Sequence, residues 1–251
     1  MDQLAAWLLG TLILSLRIAP VFAFAPPFTL VRVPLRLRLM LGLALAGCLT
    51  TYHPNAQLAA DATSGVLAVA AARELLLGAI TAAVFQIAFS ALYIAGRTVD
   101  IQAGFGLSLL IDPTSNAQTP LAGTLLAYAA GSVFFAMDGH AELLRIFAAS
   151  LDAIPLGGLV EPPSPGRIAG LMTASCLVAF GVVGGAVLCL FIADLAIALL
   201  SRTTPQMNVL VLGFQLKTVL FFVALPTSFG MGGALLARLV RIALEGVVVM
   251  L

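Results

Sequence analysis

The run LLLGAITAAVFQIAFSALYIAG, Leu75 to Gly96, carries no charged side chain. Its length meets the about 20 residues that a helix needs to cross a bilayer. Working outward, Ile168–Ala193 and Thr218–Ala237 are uncharged runs that meet the same requirement. Pro113–Met137 is uncharged too, and its helical part is expected to start near Pro120. Toward the amino terminus, Leu4–Leu16 and Ile18–Val31 flank Arg17, and Leu39–Tyr52 is short for a span. The expectation is an all-α chain of about six long hydrophobic helices arranged as helical hairpins, with an irregular central loop. No stretch reads as a soluble domain and no internal repeat is visible. Residues 1–251 are therefore expected to form a single membrane-protein domain.

Composition agrees. Hydrophobic residues make up 61% of the chain and charged residues 9%, against about 25% charged in a soluble domain. A net charge of +1 implies neither a nucleic-acid partner nor an acidic substrate. Cys48, Cys176 and Cys189 stand alone in apolar runs, without a CxxC pair. They read as small buried thiols, with no metal and no cofactor expected. Ala23-Phe24-Ala25 imitates a signal-peptide cleavage site. Asp2 in place of a basic start, Arg17 within the run and Pro26 after the cut favour retained structure instead.

Charge placement gives a conflict. Arg32, Arg36 and Arg38 form the dense basic cluster, expected between the first two helices, and the positive-inside rule puts it in the cytoplasm. Counting spans from there brings Arg97, Arg202 and Lys217 inside as well. Arg238 and Arg241 then fall outside, against the rule. Either one run does not span, or this is not an ordinary polytopic protein.

Arg17 and the pair Arg73-Glu74 sit among apolar residues, where a charge is costly and faces a partner, a cavity or water. The plainer alternative is that they mark helix ends. Gln86, Tyr93, Arg97 and Asp100 fall at i, i+7, i+11 and i+14, one stripe of a helix. Arg97 and Asp100, three apart, are placed to pair. Such a stripe faces protein or an aqueous path rather than lipid. The small-xxx-small pairs Gly166/Gly170 and Gly181/Gly185 let helices approach closely, and Gly78, Ala82 and Ala83 add a further small face. So many small faces with so few loops point to a subunit of a larger assembly.

Catalytic patterns are weak. Gly106-Leu107-Ser108-Leu109 lacks the second glycine of an intramembrane serine protease and a distant membrane histidine. Asp100 and Asp112 do not sit in GxGD, and His140-Ala141-Glu142 is not followed by PCxxC. His140 reads as a residue that caps or hydrogen-bonds near the start of a helix over Ala141–Leu151, after the turn Asp138-Gly139. No catalytic residue is assigned.

The irregular segment VDIQAGFGLSLLIDPTSNAQTP, Val99 to Pro120, resembles the Q-x-GFG…DP…Q-x-P signature of the R-subunit family of the type III protein export gate, the FliR/SctT family. DGHAELLRIFAASLDAIPLG, Asp138 to Gly157, looks like that family's DGH…S…P-x-G segment. RTTPQMNVLVLGFQLKTVLF, Arg202 to Phe221, resembles its PQMNVF…GFPLK segment. The three occur in family order, and the likeness covers nearly the whole chain. Two positions depart: Leu210 replaces a Phe, and Gln215 replaces a Pro, which puts a kink there in doubt. The form of the last segment looks more like the flagellar branch than the injectisome branch.

The resemblance implies a non-enzymatic, channel-forming subunit of a helical multi-subunit assembly. It would stand with P-type and Q-type subunits around the path of unfolded flagellar substrates, with a B-type subunit near the entrance. Its place would be the bacterial inner membrane at the flagellar basal body, with the gate largely above the bilayer plane. It also implies that the loop after the GFG motif plugs the path. Gly104 and Gly106 allow bends, Phe105, Leu107, Leu109, Leu110 and Ile111 supply apolar contact, and Asp112-Pro113 starts a turn. The alternative function is a polytopic small-molecule or ion transporter, with the Gln86–Asp100 stripe as its pathway. That fold would show symmetry between its halves, and none is visible.

Overall fold

Arg17 does not separate two helices. The computed structural model describes residues 2–53, 64–105, 120–159, 161–203 and 209–250, and its first helix, α1, runs unbroken over Asp2–Phe24 with Pro20 inside. Pro26-Pro27 then opens the single-turn helix α2, Pro26–Thr29, since proline lacks only an N–H that a first turn leaves unbonded. Helix α3 covers Leu35–Tyr52, 18 residues. It starts before the expected Leu39, so Arg36 and Arg38 belong to its first turns and Arg32 alone of the basic cluster lies between helices. The remaining helices are α4 (Ser64–Gln102), α5 (Leu121–Ala136), α6 (Gly139–Ala153), α7 (Pro165–Thr203) and α8 (Val209–Met250). Gln215 is one of the α8 residues. The described residues hold no strand.

The expected all-α set is present. Five helices are long and apolar enough to cross a membrane, and the bent pair α5–α6 makes up to six. That pair turns by 69°. Asp138 supplies the turn with φ 55°, a left-handed conformation that Asp tolerates better than most residues. Gly139 follows because a Cβ there would lie 2.8 Å from the Phe134 carbonyl oxygen. His140 does not cap α6; its ring leans on Phe135 at 6.0 Å.

Three helices are far longer than a bilayer needs. The helices α4, α7 and α8 have 39, 39 and 42 residues. At about 1.5 Å per residue each is roughly 60 Å long, about twice the hydrocarbon core of roughly 30 Å. A helix of that length extends well beyond one or both faces of a bilayer.

The chain divides into two compact units, one of residues 1–88, 131–172 and 240–251, the other of residues 89–130 and 173–239. In the first, α1 and α3 run antiparallel. Trp7 Nε1 donates to Thr51 Oγ1 at 3.1 Å and Arg38 Nη1 to the Ala23 carbonyl at 2.9 Å. Gly42, Ala46 and Thr50, four apart, form the buried face of α3, with Gly42 against Ala19. Phe22, Phe28, Phe85 and Phe134 join in tilted and edge-on contacts. In the second unit α7 and α8 pair antiparallel through the Asp194–Lys217 ion pair, Val182 beside Gly232 and Ile197 beside Gly213. The thiols are less buried than expected: Cys48 is exposed, and Cys176 and Cys189 are half-buried.

Candidate functional site

A guanidinium in an apolar helix needs acceptors for as many of its five N–H groups as possible. Arg17, 0% exposed, finds them inside its own chain. Its Nε donates to Glu74 Oε2 at 2.6 Å and Nη2 to Glu74 Oε1 at 2.9 Å, the two-pronged geometry that suits arginine and carboxylate. Nη1 donates to Ser150 Oγ at 2.9 Å and Nη2 to the Ile154 carbonyl at 3.0 Å. Glu74, also 0% exposed, accepts in addition from the Gly157 N–H at 2.9 Å. Gly157 has φ 75°, and its carbonyl accepts from half-buried Arg73 Nη1 at 2.8 Å. One glycine thus faces both members of the Arg73-Glu74 pair. Three of the partners, Ser150, Ile154 and Gly157, lie in the Asp138–Gly157 segment that the resemblance marked. Sequence reasoning assigned none of them to Arg17.

The second feature is the loop after α4. Gly106, Leu107, Leu109, Leu110, Ile111, Asp112 and Pro113 lie outside the described residues, and both ends of the segment lie within them. At the near end Gly104 has φ 93°, where a side chain is strained, and a Cβ there would lie 3.2 Å from Phe214. The Phe105 ring meets Phe221 edge-on at 4.9 Å. At the far end the first N–H groups of α5 lack helical acceptors. Both carboxylate oxygens of buried Asp100 accept from the Ala122 N–H, at 3.1 and 3.2 Å, and a negative charge there also suits the helix dipole. The chain that leaves α4 at Phe105 therefore returns at Pro120 to a residue of the same α4 end.

This contact redirects the expected stripe. Asp100 turns to Ala122, and Arg97 is exposed and makes no ion pair with it. Tyr93 is half-buried, and exposed Gln86 donates to the Phe24 carbonyl at 2.6 Å.

The packing glycines also differ among themselves. Gly166 and Gly170 are exposed, with open space around them. A Cβ on Gly181 would lie 3.3 Å from Leu235, and one on Gly185 would lie 3.8 Å from Ser228. The tightest approaches fall elsewhere. A Cβ on Gly78 would lie 2.6 Å from the Arg17 and Leu16 carbonyls, and one on Gly96 would land on the Gly123 backbone. Gly96 stands five helical turns after Gly78 on one face of α4, a spacing that marks both from sequence.

Comparison with known proteins places these features in a family. The chain matches the family described as Bacterial export proteins, family 1, over residues 8–242. It is 30% identical to the flagellar biosynthetic protein FliR of Bacillus subtilis over 219 residues, 85% of this chain and 83% of that one. It is 25% identical to FliR of Escherichia coli, covering 86% and 82% of the two chains. Against the Yop proteins translocation protein T of Yersinia pestis it is 28% identical over 59% of this chain and 58% of that one. These matches displace the small-molecule transporter alternative. The two buried features sit within a chain that belongs to the bacterial export proteins of family 1, the FliR/SctT family of flagellar and type III secretion systems.

Proposed function

We propose that this export-apparatus component is the R-type subunit of a flagellar export gate in the bacterial inner membrane, at the basal body. In this reading residues 1–251 act as one domain. They pack with P-type and Q-type subunits around the path of unfolded flagellar substrates, with a B-type subunit near the entrance and no catalytic step. The flagellar branch is favoured because the flagellar relatives named above align with 85% and 86% of the chain, against 59% for the Yersinia protein. Exposed Gly166 and Gly170 offer α7 a close-approach face for a neighbouring subunit. The exposed side of the stripe, Gln86 and Arg97, faces a neighbour or the aqueous path.

The loop Ala103–Pro120 is the plug in this reading, and the observation that carries it is the Asp100–Ala122 contact. A segment whose ends meet at one carboxylate, and that is much longer than the about 2–5 residues needed to join adjacent helices, suits a compact excursion from a base. Leu107, Leu109, Leu110 and Ile111 give it apolar bulk, and irregular backbone at membrane depth is tolerable only within protein or a water-filled path. Deleting Gly106–Ala117 tests this. Assembly with co-purifying P- and Q-type subunits is expected to persist while small-ion leakage rises in cells carrying the gate. Normal assembly with unchanged conductance would remove the plug.

A further inference from the structure

Helix α3 is apolar on more sides than its partner covers. Gly42, Ala46 and Thr50 are buried, while Leu35, Leu37, Met40, Leu41 and Leu43 are exposed on several other sides, Met40 to 66%. A helix that is hydrophobic on all sides lies in the core of a large protein or spans a membrane. Between α1 and α3 runs an open groove of about 710 Å³, lined by Trp7, Leu8, Met40, Leu43, Gly47 and Tyr52 among others.

The ends of the hairpin differ in chemistry. At one end stand Arg32 and Arg36, both exposed. Arg38 is committed to the Val33 and Ala23 carbonyls, and neither Arg32 nor Arg36 makes an ion pair among the described residues. At the other end stand Trp7 and Tyr52, the residue types that settle at a membrane interface. From Arg36 to Tyr52 the helix rises roughly 24 Å, most of a hydrocarbon core of about 30 Å. The arginines thus sit at headgroup depth when the groove lies along the acyl chains. Residues 4 to 53 contain no acidic side chain to compete for them.

We infer that the α1–α3 groove is a binding site for an anionic phospholipid, its phosphate held by Arg32 and Arg36 and its acyl chain lying along Met40 and Leu43 toward Trp7. The inference rests on the membrane reading of the chain and is independent of the plug. It makes this hairpin the part of the subunit that stays in lipid.

Trp7 is the only tryptophan of the chain and reports on the groove. The full chain would be placed in nanodiscs of phosphatidylcholine containing a minor fraction of lipid brominated near the chain ends. Brominated phosphatidylglycerol is expected to quench Trp7 at a roughly 25-fold lower fraction than brominated phosphatidylcholine, since each of the two basic side chains near an anionic headgroup contributes roughly a factor of five. The R32Q/R36Q double variant is expected to be quenched equally by both lipids, and free glycerophosphate is expected not to compete. Equal quenching in the parent chain, an unchanged preference in the variant, or no quenching by either lipid would overturn the site. In membranes carrying the assembled apparatus, benzoylphenylalanine at Met40 is expected to join to phospholipid. An adduct with another subunit in its place would show a protein-covered groove and end the inference. Loss of the lipid preference alongside the leak expected of the loop deletion would remove this site and leave the plug standing.

Discussion

Arg17 and Glu74 lie 57 residues apart in the chain and meet through two hydrogen bonds where neither is open to solvent. Removing one member leaves the other as a buried, unpaired charge, at a cost of about 3–5 kcal/mol. Glu74→Ala is therefore predicted to lower the melting temperature and the cellular level of the subunit sharply. The double change Arg17→Met with Glu74→Leu is predicted to lose less, because no orphan charge remains. Thermal unfolding in detergent measures both, and parent-like melting of Glu74→Ala would show that the pair contributes nothing.

Asp100 acts on a backbone donor, so the prediction for it separates hydrogen bonding from charge. Asp100→Ala is expected to cost about 0.5–2 kcal/mol, the usual loss of a helix N-terminal acceptor. Asp100→Asn keeps an acceptor and is expected to lie near the parent. Hydrogen exchange at the Ala122 amide is the direct readout. Equal protection in the parent and the alanine variant would sink the idea that Asp100 ties the two helices.

Small residues are predicted to be unequal. Gly96→Ala pushes a methyl onto the Gly123 backbone, and overpacking costs about 1–3 kcal/mol or more. Gly181→Ala meets only the movable end of Leu235 and is expected to be mild. Gly166→Leu with Gly170→Leu enters open space and is predicted to leave the subunit's own melting unchanged while weakening assembly on native gels. Intact assembly would mean that this face meets lipid.

Thr11 is 7% exposed and its hydroxyl has no hydrogen-bond partner among the described residues. Replacing an unsatisfied buried hydroxyl with an apolar group of the same shape removes a desolvation penalty of about 1–3 kcal/mol. Thr11→Val is therefore predicted to raise the melting temperature of the full chain. A lowered value would reveal an acceptor for that hydroxyl.

Much of the helical fold is legible in the sequence because apolar length is a one-dimensional signal. Its boundaries are less so. Arg17 reads as a break between runs, since its partners lie 57 and 133 residues away. Likewise α4 extends past Arg73 and Arg97, and α8 past Arg238, because a charge with water or a partner nearby does not end a helix. The loop base was half legible. Asp100 stands out among apolar neighbours, but its partner is a backbone N–H, which leaves no mark in residue identity. For Gly96 and Gly123 the glycines are visible and their pairing across two helices is not.

Separation along the chain is also a delay. At synthesis rates of about 5–20 residues per second, Glu74 follows Arg17 by roughly 3–11 s, and Ser150 by roughly 7–27 s. Through that interval the insertion machinery holds a first helix with an unmatched cation, a penalty of about 2.5–3.5 kcal/mol at mid-membrane on the translocon scale. The segment made first thus waits for a later one before it reaches its final environment. A nascent chain arrested before Glu74 would carry its amino-terminal helix uncommitted, and the arrival of that glutamate is the event that lets it settle.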